Sequence, residues 1–179
     1  NLHKKEKLEH MNQILSDLYV RDSVTGLYNR MGYQKLSISY FTIMREKKMP
    51  VLVMFIDLDR LKYINDTFGH EYGDFAIVSI AKAMLKHCDA DAIAARTGGD
   101  EFIVLECAKD EESGRVLAQK IRTELSKTQR AMQLPFDLSA SIGAVVAHPG
   151  EENVLESYVK RAEMLMYEEK AEKKVSRDS

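Results

Sequence analysis

Several residue types are scarce or missing in this chain of 179 residues, which has no tryptophan, three prolines and two cysteines. A domain of this size does not need a disulfide to be stable, and Cys88 and Cys107 lie in apolar stretches. We therefore expect two buried free thiols in a reducing, cytoplasmic compartment. No apolar run approaches the roughly 18 residues of a membrane-spanning helix, and no basic-then-apolar leader opens the chain. This segment is predicted to make no direct membrane contact.

An excess of positive charge is also missing, because 26 basic residues face 28 acidic ones. A net charge of −2 gives no general attraction to nucleic acid, so any phosphate site must be local. The hydrophobic share of 45% is typical of one globular domain with a short extension. Because the first residue is Asn1, we expect a fragment of a longer bacterial signalling protein, which could be anchored in a membrane elsewhere.

The first twenty residues carry an apolar stripe at spacings of three, four and three, formed by Leu8, Met11, Leu15 and Leu18. This spacing predicts a signalling or linker helix over residues 1–20 with the a/d pattern of a coiled coil. Two heptads are too few to decide between two structures. The stripe could pair two copies of the chain, or it could pack on its own domain.

The rest of the chain reads as an α+β domain with a central, mainly antiparallel sheet flanked by helices. From residue 51 the predicted order is β, α, β, β, α, β, with a helix before and after, which is the split-βαβ arrangement. That arrangement places the first and third strands side by side, so Asp57 and Asp100 should meet. The predicted helices cover 29–46, 60–67, 73–88, 111–127 and 153–173, and the strands 51–56, 91–96, 101–105 and 136–147.

Two acidic motifs lie at the predicted strand ends. Asp57-Leu58-Asp59 follows a strand buried on both faces, and carboxylate oxygens at such an end suit Mg²⁺. The segment 97–100, Thr-Gly-Gly-Asp, predicts a tight hairpin, because glycine tolerates the positive φ of such turns. Either motif alone also fits ordinary solvated acids or an ordinary turn.

Together these motifs resemble the GGDEF family of diguanylate cyclases. Its first signature is matched by the run from Phe55 to Asp74 and its second by Arg-Thr-Gly-Gly-Asp-Glu-Phe at 96–102. Its opening is matched at 22–30, with Val24 where leucine is usual, and its late strand at 141–143. The resemblance covers about residues 20–172 and implies a palm-like nucleotidyl-cyclase core. It divides the chain into a linker helix at 1–20, a catalytic domain at 21–175 and a tail at 176–179.

The resemblance implies that two facing domains condense two GTP molecules into cyclic di-GMP and release two pyrophosphates. It implies a Mg²⁺ site, or Mn²⁺, formed by Asp57, the Leu58 carbonyl and Asp100. The proton acceptor would be Asp100, which the family favours, or Glu101. The other implied site residues are Lys62 and Lys170 for the phosphates, Asn65 and Asp74 for guanine, and Gly98 and Gly99 beside the substrate. His70 could contact the nucleotide or serve only a local hydrogen bond.

The sequence departs from the family pattern at two places. Asp89 and Ala92 stand where many members have an inhibitory Arg-x-x-Asp site, so product inhibition there is not expected. Lys173-Lys174-Val replaces the usual Gly-Arg-Asn after Lys170.

Alternatives to a catalytic function also remain open. The two guanine-reading residues could be turn or helix N-cap residues. The domain could be a degenerate GTP-binding regulatory module, or a scaffold that transmits dimerisation. As a cyclase it should need a homodimer, with an upstream sensory region of the same chain.

Overall fold

The computed structural model describes residues 1–151 and 153–178, which form a four-stranded sheet with helices on both faces. In chain order, two helices precede the first strand and one helix follows the last strand. The elements are α1 (Leu2–Val20), α2 (Arg30–Glu46), β1 (Val51–Leu58), α3 (Leu61–Phe68), α4 (His70–His87), β2 (Ile93–Arg96), β3 (Glu101–Cys107), α5 (Ser113–Ala131), β4 (Ala140–Ala147) and α6 (Leu155–Asp178).

The sheet is antiparallel throughout, with the strand order β2-β3-β1-β4. All eight residues of β1 are buried, because separate apolar clusters cover the two faces of the sheet. A central strand covered on both sides needs apolar residues at consecutive positions, which explains its unbroken apolar run. The predicted α+β class and the adjacency of the first and third strands are confirmed.

α5 and α6 end later than predicted, at 131 and 178 rather than at 127 and 173. Two predicted starts are also wrong by three or four residues, for local reasons. The fourth strand begins at Ala140 rather than at 136, because Phe136 packs its ring 5.4 Å from that of Phe68. In the same segment, Leu138 donates its N–H to the side chain of Gln129 instead of to a neighbouring strand. α4 begins at residue 70 rather than 73, directly after a glycine with φ +101°.

The apolar stripe of α1 is exposed. Val20 is the only buried residue of this helix, whereas Leu8, Met11, Leu15 and Leu18 are between 55% and 71% exposed. The alternative in which the stripe packs on its own domain is therefore wrong for this structure. No helix within residues 1–151 and 153–178 is long and apolar enough to cross a membrane.

Candidate active site

Three carboxylates converge where β1 and β3 meet. Asp57 pairs with Glu101 in the antiparallel register, and the N–H of Leu58 donates to the carbonyl of Asp100 over 2.9 Å. Asp100 is near enough to raise the pKa of both Asp57 and Glu101 through its charge. The predicted meeting of Asp57 and Asp100 is thus what the structure shows, and strand adjacency is its cause.

Asp57 is a buried carboxylate with one paired and one unpaired oxygen. Only 6% of the residue is exposed, and its Oδ2 lies 2.9 Å from the ammonium of Lys170. Its Oδ1 is buried and has no hydrogen-bond partner among the described residues. Burial raises the pKa of Asp57, Lys170 lowers it and Asp100 raises it, and together these influences place it at about 7. An unpaired buried oxygen beside a second carboxylate is costly unless something binds it.

These oxygens fit a hard divalent cation. Asp57, Asp100 and the carbonyl of Leu58 are all oxygen ligands, and Mg²⁺ commonly takes one or two protein carboxylates and fills its other positions with phosphate oxygens and water. No group of three or more His, Cys, Asp or Glu side chains is arranged to hold a metal in the described ranges. The set implied by the resemblance contains only two carboxylates, so it fits this finding.

Glu101 differs from its neighbours in its surroundings. It is half-buried, and burial raises the pKa of its carboxyl, with further increases from the charges of Asp100 and Glu163. Arg30 and Lys170 lower the pKa by their positive charges. The direction is the one that a general base near neutral pH requires.

Asp59 lies two residues beyond Asp57 and has the opposite character. Both of its oxygens are bonded: Ser141 donates to Oδ1 over 2.7 Å, and Ser139 and Lys173 donate to Oδ2 over 2.7 Å each. Burial alone would raise its pKa, but the bonds from Lys173, Ser141 and Ser139 together lower it. The sequence reading missed this network. The available signal was the alternation of Ser139 and Ser141 at the start of the last predicted strand.

The glycine turn after β2 is held by Arg96. Its guanidinium donates twice to the carbonyl of Gly99, at 3.1 and 2.9 Å, and lies 3.3 Å from the carboxylate of Asp22. The same Asp22 accepts both the N–H and the hydroxyl of Thr25. Arg96 therefore connects the turn to the segment that follows α1.

The predicted reason for the two glycines is wrong. Gly98 and Gly99 do not have positive φ; the positive-φ glycines of the described chain are Gly26 and Gly69. The loop is also longer than a two-residue turn, since the N–H of Thr97 bonds to the carbonyl of residue 101. A Cβ on Gly98 would come 3.0 Å from Oε2 of Glu101, whereas one on Gly99 would meet nothing within 4 Å. Glycine at 98 therefore avoids close contact with the Glu101 side chain, and no positive φ requires it.

The implied guanine-binding residues lie on α3 and α4. Asn65 is half-buried inside α3, and a Cβ on Gly73 of α4 would come 1.7 Å from its Oδ1, so the missing Cβ makes room for the amide. Asp74 follows in α4 and is exposed, as is His70 at the start of that helix. The N-cap alternative is wrong for both Asn65 and Asp74, because Arg60 and Gly69 hold the N-cap positions.

The two implied phosphate lysines are placed differently. Lys170 lies in the carboxylate site on Asp57, as described above. Lys62 is 91% exposed and pairs with Asp66 one turn along α3, at 2.9 Å. α3 begins at Leu61 without a side-chain cap, so the N–H groups of its first turn are available to an anion.

The segment around Asp89 and Ala92, where many family members have the inhibitory site, is acidic. Glu106 is buried and accepts the N–H of Asp89 over 3.1 Å. Burial raises its pKa, with a further increase from the charge of Asp89. Cys88 and Cys107 are free thiols as predicted, but both are half-buried rather than buried.

Residues 19–176 match the family model described as "Diguanylate cyclase, GGDEF domain". Diguanylate cyclase VdcA of Vibrio cholerae is 34% identical over 153 residues, which are 83% of this chain and 43% of that protein. Cyclic di-GMP phosphodiesterase NbdA of Pseudomonas aeruginosa is 27% identical over 92% of this chain and 21% of its own length. This chain thus spans less than half of each relative.

The fold resembles a solved structure. The coiled coil and GGDEF domain of DgcB from Caulobacter crescentus, in complex with c-di-GMP, superimposes with a TM-score of 0.78. The match covers 95% of this chain and 90% of that one at 22% identity, which supports the fold alone.

Proposed function

Because this chain belongs to the GGDEF family of diguanylate cyclase domains, we propose that it condenses two GTP molecules into cyclic di-GMP. In each of two steps a 3′-hydroxyl attacks an α-phosphorus, a new P–O bond forms and pyrophosphate leaves. The observation that carries the proposal is the buried, unpaired Oδ1 of Asp57 beside Asp100. A structural ion pair has no need of an unpaired buried oxygen, whereas a cation site does.

The chain's own residues would act as follows. Asp57, the carbonyl of Leu58 and Asp100 would hold Mg²⁺ or Mn²⁺. When bound, that cation polarises the phosphate and lowers the pKa of the attacking hydroxyl. Asp100 and Glu101 are the candidate proton acceptors. A carboxylate bound to a cation is a poorer base, so the raised pKa of Glu101 favours Glu101 for this role.

The triphosphate of GTP would be bound at the start of α3, and its guanine at the other end of α3, beside α4. The uncapped N-terminal turn of α3, Lys62 and Lys170 would bind the triphosphate. At the other end, the amide of Asn65 and the carboxylate of Asp74 would pair with the guanine edge, whose N1 and N2 protons match a carboxylate acceptor. Adenine offers no such pair of protons, so GTP is the proposed substrate.

A homodimer is needed because each domain would hold one GTP. We propose that α1 supplies the contact as a coiled coil, which its exposed apolar stripe supports. Residues 21–175 would be the catalytic unit, and a sensory region upstream in the same protein would control the pairing. The cytoplasm, where GTP is abundant, is the proposed compartment.

A second candidate function is a GTP-binding regulatory module without catalysis. The pairing of Lys170 with Asp57 favours it, since that ammonium stands where a cation would bind. NbdA, a relative named as a phosphodiesterase, also matches along 92% of this chain. In this reading GTP would bind and no product would form.

The test incubates the chain with GTP and Mg²⁺ at concentrations that force dimers, and identifies products by mass spectrometry. Asp100→Ala is the inactive control, and Glu46→Ala, an exposed acid at the end of α2, is the surface control. Cyclic di-GMP from the parent and from Glu46→Ala alone would support the cyclase. GTP binding without product would support the regulatory module instead.

A further inference from the structure

Lys170 lies between two different surroundings. On one side its ammonium is 2.9 Å from Oδ2 of Asp57, and its charge also lowers the pKa of Glu101. On the other side the residue lines a cleft of about 1250 Å³ between the start of α3 and the last turns of α6. The side chain of Lys170 is 37% exposed, so its ammonium is accessible from this cleft. One lysine thus contacts the proposed cation ligand and borders the space proposed for the triphosphate.

We propose that the Lys170 ammonium competes with the divalent cation for the carboxylate of Asp57, and that the phosphates of GTP end this competition by drawing the ammonium into the cleft. Lys170 would thereby make tight cation binding depend on the nucleotide. This inference rests on the proposed function, in which Lys170 is a phosphate contact, and adds to it a coupling between the two ligands of the site.

The competition follows from the burial of Asp57. Its Oδ2 has the ammonium and its Oδ1 has no partner among the described residues. A cation bound through Oδ1 while Oδ2 keeps the ammonium would place two positive charges on one carboxylate. Only 6% of the residue is exposed, so little water is present to screen their repulsion. Cation binding without nucleotide therefore has to overcome the charge of Lys170.

The backbone of α6 is held in place, so the change of partner would fall to the Lys170 side chain. A Cβ on Gly143 would come 1.9 Å from the carbonyl of Ala162, so the glycine lets α6 lie directly against β4. One turn beyond Lys170, Lys173 donates to the carbonyl of Ala140 over 2.7 Å. A lysine has a flexible four-carbon stem and three rotatable donors, which suit it to exchanging one anionic partner for another.

Nucleotide phosphates would act on both sides of the competition. They offer the ammonium a second anionic partner, and they supply oxygen ligands to the cation. By linkage, the nucleotide and the cation would each raise the affinity of the site for the other by the same factor. A lysine that served only as a phosphate contact would behave differently. Its removal would weaken nucleotide binding and leave cation affinity unchanged in the nucleotide-free protein.

The first test measures Mn²⁺ binding to the intact chain by electron paramagnetic resonance, without nucleotide. A pH of about 8.5 lies above the pKa of Asp57, which is about 7. Lys170→Met should tighten Mn²⁺ binding about tenfold. Lys170→Arg keeps a positive charge for Asp57 and should stay within about threefold of the parent. Lys160→Met removes a charge from an exposed position earlier on α6 and should change the affinity less than about twofold.

The second test measures the coupling by calorimetry with 3′-deoxy-GTP, which lacks the attacking hydroxyl and cannot react. Its affinity is determined once in Mg²⁺ and once in EDTA, and the ratio of the two values reports the coupling. Lys170→Met should lower this ratio about tenfold, because coupling between two ligands is reciprocal. Lys160→Met should leave the ratio at the parent value.

Three results would each overturn the inference: unchanged or weaker Mn²⁺ binding in Lys170→Met, equal tightening in Lys170→Arg, or a ratio that Lys170→Met does not change. An absence of Mn²⁺ binding in the parent and in Lys170→Met alike would overturn the inference together with the proposed cation site. A parent that shows the expected coupling but makes no cyclic di-GMP would overturn only the proposed function.

Discussion

The two ends of the candidate site are built differently. At the end proposed for the cation and the phosphates, called the phosphate end below, Asp57 and Asp59 are both buried, with lysines of α6 at 2.9 and 2.7 Å. At the end proposed for guanine, called the base end below, Asp74 and His70 are exposed and Asn65 is half-buried. The phosphate end thus consists of buried charged residues. The base end is an exposed surface with one recess, the space that Gly73 leaves for the amide of Asn65.

Electrostatics explains why the two ends differ. A buried carboxylate needs a partner in the absence of ligand, because an uncompensated buried charge is costly. Exposed polar groups such as Asp74 keep water as a partner until a base replaces it. We therefore expect substitutions at the phosphate end to change cation binding and stability, and substitutions at the base end to change recognition of GTP alone.

The largest effect is expected from Asp57→Asn. An amide keeps the shape but binds a divalent cation poorly, so turnover should fall more than about 100-fold, beyond the loss typical of a residue outside the ligand shell. Mn²⁺ binding should be lost at the same time, as measured by paramagnetic resonance. Unchanged Mn²⁺ affinity in this variant would contradict the placement of the cation at the phosphate end.

Asp74→Ala should come next and should act on GTP only. Loss of a charged acceptor for two guanine protons corresponds to roughly 1.5–3 kcal/mol, or about 10- to 150-fold in the KM for GTP. Mn²⁺ affinity should stay at the parent value, because the residue lies at the other end of the site. A variant in which Mn²⁺ and GTP affinity fall together would remove the distinction between the two ends.

Strand order made the phosphate end partly predictable from sequence. Asp57 lies at the end of an apolar run and Asp100 in a glycine turn, so the split-βαβ arrangement was enough to bring them together. The bond between Asp59 and Lys173 was not predictable in this way, because it joins residues 114 positions apart. It depends on how closely α6 approaches β4 at Gly143, and no local pattern encodes that distance.

The roles of the glycines were also not predictable from local sequence. A glycine pair in a hairpin suggested positive φ at 98 and 99, but the loop is longer, and the glycines with positive φ in the described residues are Gly26 and Gly69. The contribution of Gly73 was invisible in the sequence, since helix propensity alone counts against glycine inside a helix. Only the packing of α4 against α3 shows that a Cβ there would overlap the amide of Asn65.

Gly73→Ala should test how far the recess at the base end depends on shape. The added Cβ would lie 1.7 Å from Oδ1 of Asn65 and would force that amide to move. Overpacking of this kind costs about 1–3 kcal/mol, and the KM for GTP should rise while Mn²⁺ affinity is unchanged. Gly150→Ala is the matched control, because a Cβ there meets nothing within 4 Å. Equal KM values for the two variants would contradict the role of the recess.

A separate effect, on stability and not on activity, is expected in the metal-free protein. Burial raises the pKa of Asp57 from 3.8 to about 7, so the native state holds a proton that the unfolded chain has released between these values. The free energy of unfolding should therefore fall as pH rises through this window, by at most about 1.4 kcal/mol per unit for one proton. Asp57→Asn should remove this part of the fall, as measured by urea titration in EDTA.

Asp59 should show the opposite dependence at lower pH and serves as the control within the same end of the site. Its pKa is lowered from 3.8, because the bonds from Lys173 and the two serines outweigh burial. Its contribution to stability is present above 3.8 and is lost as pH falls below that value. Asp59→Asn should therefore follow the slope of the parent between pH 4 and 7 and differ from it only in acid. If both variants lost the same dependence of unfolding free energy on pH in the same window, the two aspartates would titrate as one coupled network. The contrast between Asp57, with one unpaired oxygen, and Asp59, with both oxygens bonded, would then not hold.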